Sequence, residues 1–213
     1  ALADCPRANL TKNGSGVILC QRRNLEEDGF PVFTSIQQDI EDVLIGENEI
    51  LAKVNEMGQA ISKDYKGSCP VIVGVLKGSG PLVADLLRRI TIPVTVDFIS
   101  VSSYGPATRS SGLVRFLKDL DFSIEGRHVL VMEDIIDTGL TLSYILRVLR
   151  GRYPASLEVG TLLDKQARRL IDIKLRYRGF DLPDRFVVGY GLDYAQRYRN
   201  LPFICALRPE VYS

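Results

Sequence analysis

The chain has 213 residues, 46% hydrophobic and 25% charged, with a formal net charge of +1. That length allows one α/β domain with a full core, and the balanced charge argues against a general nucleic-acid or membrane-surface role. No apolar run approaches the roughly 18 residues of a membrane span, and Cys5, Cys20, Cys69 and Cys205 form no CxxC pair that would point to zinc or redox chemistry. Thiols dispersed in this way fit a reducing, cytoplasmic setting.

The opening stretch, residues 1–38, mixes Arg22 and Arg23 with Glu26, Glu27 and Asp28 and has little periodicity. It suits neither a secretory leader nor an acid-poor transit peptide. It is read as an extension of unknown role ahead of one domain at 39–213. The chain does not begin with Met, so a trimmed targeting segment and an organellar setting stay open. Leu51, Val54, Met57, Ile61 and Tyr65 then fall at three- and four-residue steps, which predicts an amphipathic helix ending near Gly67. Residues 71–76 are a buried-strand run, and Lys77-Gly78-Ser79-Gly80 turns the chain into a helix opening at Pro81, where a missing N–H is harmless. Residues 94–101 predict another strand. Residues 102–126, with Gly105, Pro106 and Gly112, predict a long loop or hairpin of the kind that is usually functional.

The densest signal is the run His128-Val-Leu-Val-Met-Glu133-Asp134-Ile-Ile-Asp137-Thr138-Gly139-Leu140-Thr141. An apolar strand leads into three carboxylates, then into a turn of hydroxyls and glycine that opens a helix whose apolar positions include Leu142, Ile145, Leu146 and Leu149. Amides and the hydroxyls of Thr138 and Thr141 converge at that helix N-terminus, a place for a phosphate. Glu133 and Asp134 lie at a strand's carboxyl end, where open parallel sheets bind ligands. A phosphate seat beside two acids suits a sugar phosphate. His128, the only histidine, has no partner to make it a base and is read as structural. Further strands are expected at 157–163, 186–190 and 203–207. Alternating strands and helices imply a doubly wound, mainly parallel α/β sheet. Residues 166–182 carry no functional motif.

The run 128–141 resembles the 5-phosphoribosyl-1-pyrophosphate (PRPP) motif of the phosphoribosyltransferases, in the form found in the hypoxanthine-guanine branch. Adenine and orotate relatives generally carry another residue where Asp137 stands. The resemblance extends over about 39–213 and implies a five-stranded core with a small hood formed by the chain ends. It implies that Glu133 and Asp134 hold the ribose hydroxyls, partly through metal, and that Thr138, Gly139, Leu140 and Thr141 hold the 5-phosphate. Leu140 stands where some relatives have lysine, with little effect expected from a backbone contact. Asp137 faces the purine as general base. The resemblance also implies that Lys77 and Gly78, whose peptide can adopt a cis form in the family, bind pyrophosphate together with Arg199. Ser103 and Tyr104 belong to a mobile flap that keeps water from a positively charged ribose.

A second signature, Phe186-Val-Val-Gly-Tyr-Gly-Leu-Asp193-Tyr with Arg197-Tyr198-Arg199, completes the resemblance. It implies that Phe186 stacks on the purine, that the Val187 backbone reads the base's 2-position, and that Asp193 borders the purine site and holds a second Mg²⁺. Lys165 would donate to O6 of a 6-oxopurine, which adenine's amino group cannot accept. The expected activity is Mg²⁺-dependent transfer of phosphoribosyl from PRPP to hypoxanthine or guanine, with two Mg²⁺ carried largely by PRPP and pyrophosphate. Xanthine remains an alternative substrate, because Lys165 serves any 6-oxopurine. A non-catalytic regulator binding PRPP or nucleotide is the reading from another class. Relatives assemble as homodimers or homotetramers. Neither nucleic acid nor membrane is an expected partner.

Overall fold

The computed structural model describes residues 36–103 and 114–212. The extension up to residue 35 and Tyr104 of the expected flap lie outside them, as does the loop as far as residue 113. Ser103 ends a strand.

Five parallel strands build the core: β2 (Val71–Leu76), β3 (Thr95–Ser103), β5 (His128–Ile136), β6 (Ser156–Asp164) and β7 (Tyr177–Asp181). Their number is the expected five, but β7 lies in the segment 166–182 that the sequence left unassigned. A sixth, β4 (Val114–Lys118), adds antiparallel to β3 and makes the predicted hairpin, so the sheet order is β4-β3-β2-β5-β6-β7. The chain runs outward from β2 to β3 and then crosses back to β5 on the other side of β2. The crevice between the carboxyl ends of β2 and β5 is therefore the topological switch point, where such sheets bind ligands.

Both faces of the sheet are covered, which explains the continuous apolar runs. Helix α1 (Glu47–Asp64) buries Ile50, Val54, Met57 and Ile61, and α2 (Gly80–Leu87) buries Leu82, Val83 and Leu86, against Ile72, Leu130 and Met132. The Glu49 carboxylate accepts the Gly46 N–H at 2.8 Å and fixes the start of α1. On the opposite face α3 (Leu140–Arg150) packs Leu142, Ile145 and Leu149 on Val71, Val73, Val129 and Val131. Successive residues of one strand thus serve opposite layers, as period-2 geometry requires. His128 stands at the far end of β5 from the carboxylates, its Nδ1 2.8 Å from Ser156 Oγ, in line with a structural role.

The last two expected strands do not join this core. β8 (Val187–Val188) and β9 (Ile204–Leu207) pair antiparallel with each other, and β9 pairs with β1 (Ile40–Ile45), giving the hood, a three-stranded sheet made by the chain ends. Its own core holds Ile40, Val43, Val188, Tyr198, Leu201, Phe203, Cys205 and Leu207. The buried Cys205 thiol is pushed up to about 12 by burial, which makes it inert.

Hood and core meet at the crevice. Tyr190 donates its hydroxyl to Asp85 of α2 at 2.7 Å, and a Cβ on Gly191 would lie 2.0 Å from the Gly78 carbonyl oxygen. Gly191 also has φ +99°, so any side chain there meets both a steric wall and a disfavoured backbone. Gly191→Ala is expected to cost about 2–4 kcal/mol, lowering Tm by about 5–10 °C in a thermal melt. An unchanged Tm would mean that the hood is not seated through this contact.

Candidate active site

Glu133 and Asp134 arrive at the crevice because the buried part of β5 ends there. Glu133 is buried, and Asp134 lies against Gly78 so closely that a Cβ on Gly78 would be 1.5 Å from Asp134 Oδ2. Neither acid makes an ion pair within 4.0 Å among the described residues. Burial, and then the neighbouring Asp134 charge, raise Glu133 well above the usual carboxylate range. Burial pushes Asp134 up to about 6, although the Ile135 N–H donates to it and the Arg199 charge pulls the other way. The cis peptide bond at this turn is Leu76–Lys77, one bond earlier than the expected Lys77-Gly78. The close approach itself belongs to Gly78, where only a residue without Cβ fits over Asp134.

The next turn leads into α3. Gly139 caps it at φ +81°, with no side-chain cap, and Thr138 Oγ1 stands 3.4 Å from the Leu140 N–H. Helix-start amides with so little protein partnership are a ready anion seat. The segment that carried no motif holds this loop in place. The Thr138 carbonyl accepts from the Leu170 and Ile171 N–H groups at 3.0 and 3.2 Å. Arg169 Nε donates to the Asp137 carbonyl at 3.2 Å, while its guanidinium pairs with the buried Asp164 carboxylate. Arg178 approaches the same carboxylate at 3.5 Å. A cavity of about 530 Å³ lined by Asp164, Gln166, Arg169, Asp172, Ile173, Leu175 and Arg178 lies here. Arg169 and Ile173 link it to the loop, and the Arg169 guanidinium already faces Asp164.

Asp137 presents two different oxygens. Oδ2 is 3.4 Å from Arg168 Nη1, and Oδ1 is buried with no hydrogen-bond partner. A buried carboxylate oxygen left open is costly unless something fills the place. Ile136 of β5 pairs with Asp164 of β6, and the Lys165 N–H donates to the Ile136 carbonyl at 3.0 Å, so Asp137 and Lys165 leave neighbouring strand ends at one level. Lys165 is buried, its Nζ donates to the Arg185 carbonyl at 2.5 Å, and burial lowers its pKa. Phe186 follows Arg185 and remains 39% exposed, while Val187 is buried and pairs with Ala206.

Asp193 and Arg199 form a pair, Oδ1 to Nη2 at 2.6 Å, and Arg199 Nη1 donates to the Gly191 carbonyl at 2.7 Å. Arg199 Nε is buried without a partner. Gln196 bridges to the core: its Oε1 accepts from Lys77 Nζ at 3.3 Å and faces Arg199 Nη2 at 3.4 Å. This loop is tightly wound, with positive φ at Tyr190, Ala195, Gln196 and Tyr198, conformations that L-residues adopt only where surroundings enforce them. Among the described residues no group of three or more His, Cys, Asp or Glu side chains comes together as a metal cage. No helix among them is long and apolar enough to cross a membrane.

Residues 45–195 match the phosphoribosyl transferase domain family. The hypoxanthine-guanine phosphoribosyltransferase of Bacillus subtilis (strain 168) is 53% identical over 178 residues, covering 84% of this chain and 99% of that protein. The crystal structure of a hypoxanthine phosphoribosyltransferase from Staphylococcus aureus superposes with a TM-score of 0.83 at 48% identity, covering 86% of this chain and 100% of that one. A hypoxanthine-guanine phosphoribosyltransferase of Bacillus anthracis, solved with HEPES in its active site, gives 0.77 at 48% identity, covering 80% and 100%. The chain belongs to the phosphoribosyltransferase family, in its hypoxanthine-guanine branch.

The acid pair makes a pH prediction for the protein without substrate or metal. Asp134 has its folded pKa raised above its unfolded value, so its contribution to stability is complete below about pH 4 and is lost as pH rises through about 6. Asp134→Asn removes that loss and is expected to stabilise the free protein at pH 7 by about 2 kcal/mol, with a flatter pH dependence between 4 and 7. Urea unfolding at several pH values measures this. Parallel pH curves for the two proteins would assign the effect to another group.

Proposed function

We infer that this chain transfers the 5-phosphoribosyl group of PRPP to N9 of hypoxanthine or guanine, giving IMP or GMP and pyrophosphate in purine salvage. The observation that carries the reading is the meeting, at one switch point, of the buried Glu133 and the half-buried Asp134, neither in an ion pair among the described residues, an open helix N-terminus, the open Oδ1 of Asp137 and a buried lysine beside an exposed phenylalanine. The catalytic unit is placed at 39–213.

Breaking the anomeric carbon–oxygen bond develops positive charge on the ribose, as in glycoside hydrolysis. Glu133 and Asp134 hold the ribose 2- and 3-hydroxyls and lie next to that charge. The α3 N-terminus, with Thr138, Gly139, Leu140 and Thr141, holds the 5-phosphate. Lys77, the Gly78 backbone and Arg199 receive the pyrophosphate, whose oxygens take the place of Gln196 and Asp193 on these cations. Asp137 Oδ1 takes or shares the purine N7 proton. Lys165 donates to O6, Phe186 provides the stacking face, and the Val187 backbone reads the 2-position.

Magnesium suits this donor set. Glu133 and Asp134 make no ion pair within 4.0 Å among the described residues, and with Asp193 they offer oxygen ligands too few for a closed cage. Substrate hydroxyls and phosphate oxygens would complete the shell. Bound there, the ion supplies charge neutralisation to the departing pyrophosphate.

PRPP- and Mg²⁺-dependent nucleotide formation from hypoxanthine, guanine, xanthine and adenine, measured side by side, tests the assignment. Turnover of hypoxanthine and guanine but not adenine is expected, and the xanthine rate reads the 2-position directly. No turnover of any base, with PRPP still bound, would make the protein a ligand-binding regulator. In the same assay Asp137→Asn should lower kcat by about 10²–10⁴-fold with little change in the KM for PRPP; an unchanged kcat removes Asp137 as base. Lys165→Ala should reduce the preference for guanine over adenine by about 10²-fold, and a constant ratio would show that O6 is read elsewhere.

A further inference from the structure

Phe186 is not a lone ring. Tyr212, from the last turn α4 (Pro209–Tyr212), stacks on it with ring centroids 4.8 Å apart and planes 27° from parallel. Tyr194 meets it edge-on at 5.7 Å and 90°. With both rings against it, Phe186 still keeps 39% of its surface exposed.

The topology brings Tyr212 there. Val187 pairs with Ala206 across the hood sheet, so Phe186 lies level with the end of β9. The chain then turns at Arg208, whose N–H donates to the Asp39 carbonyl at 2.9 Å. Val211 packs on the hood core and returns the next residue over the Phe186 ring.

We propose that Tyr212 is a positioning residue for the purine site, backing Phe186 so that tyrosine, phenylalanine and purine form one continuous stack. The proposal rests on the assignment of Phe186 as the purine platform. An exposed phenylalanine without a backing ring samples several rotamers, and binding must then immobilise it. A ring clamped by a face contact and an edge contact has already lost that freedom, so the purine binds to a prepared surface. Because Tyr212 touches neither the ribose nor the phosphate groups in this scheme, its effect belongs to the base and not to PRPP.

The test is a double-mutant cycle with Phe186→Leu and Tyr212→Ala, reading kcat and the separate KM values for guanine, hypoxanthine and PRPP. Tyr212 is at the chain's exposed end, and equal Tm values confirm that each variant is folded. Tyr212→Ala should raise KM for both purines roughly three- to tenfold, leaving kcat and the KM for PRPP within about twofold. Tyr212→Phe, which keeps the ring, should restore the purine KM, and Tyr212→Ala should add nothing in the Phe186→Leu background. An unchanged purine KM in Tyr212→Ala overturns the proposal, as does the same rise with or without Phe186. A lowered KM overturns it too, since the tyrosine would then stand in the purine's own place. If Phe186→Leu alone leaves the purine KM unchanged, the platform assignment is what fails, and the proposal falls with it.

Discussion

The site depends on two carboxylates, Glu133 and Asp134, held at the end of a buried strand with no ion pair among the described residues. Burying such groups costs several kcal/mol per ion unless they are paired or protonated, and both respond with raised pKa values. The protein keeps this unfavourable arrangement where β2 and β5 diverge, under a glycine that cannot be replaced without striking Asp134. Strain of this kind is tolerated where a ligand relieves it. In the proposed reaction, a substrate that brings hydroxyls and a divalent ion would complete what the fold leaves open.

The rest of the structure holds that crevice in shape from three directions. From below, α3 begins at a left-handed glycine whose turn is fixed by Leu170, Ile171 and Arg169. From the side, Lys165 is tied through its backbone to β5 and through its ammonium to the residue before Phe186, linking core and hood. From above, Gly191 settles on the Gly78 carbonyl and Tyr190 anchors on α2. Each contact is modest alone. Together they place groups from the central strands, the hood and a surface segment around one space, which is how precise geometry is kept on a marginally stable scaffold.

Much of this was legible in the sequence, for a physical reason. The run 128–141 combines an apolar strand, acids and a glycine turn in one continuous stretch, so local pattern alone locates the strand end and the anion seat. The pattern fails where tertiary contacts decide. Ile40–Ile45 carries Glu41 and Asp42, whose charges are met by Arg185 from across the hood, so its strand character is hidden. Tyr177–Asp181 stayed unassigned because it is an edge strand carrying Arg178 and Asp181, and Gly179 is needed in it because a Cβ would strike the Leu162 carbonyl. Residues 186–190 and 203–207 look like core strands, yet β8 pairs only with β9, and β9 pairs in turn with β1, more than a hundred residues upstream. Arg169 left no signal at all: an arginine in a polar segment announces nothing until the Asp137 carbonyl and Asp164 are seen on either side of it.

The charges of the site divide in a way that follows from these contacts. Its cations already have internal partners: Arg199 has Asp193, Lys77 has Gln196, Lys165 has the Arg185 carbonyl, and Arg168 has Asp137. The strand-end acids Glu133 and Asp134, in contrast, have no ion-pair partner within 4.0 Å among the described residues, and Asp134 accepts a backbone N–H, that of Ile135. Lysine and arginine side chains left free would lose considerable rotamer entropy on meeting a polyanion; parked on amide or carboxylate oxygens of the protein, they have lost it beforehand. Exchange of those oxygens for phosphate oxygens then keeps the number of hydrogen bonds nearly constant while adding charge attraction. On the proposed assignment, binding selectivity therefore lies in what the internal partners cannot supply, namely a metal-bearing diol for the acids and a flat, O6-bearing ring beside Lys165 and Phe186.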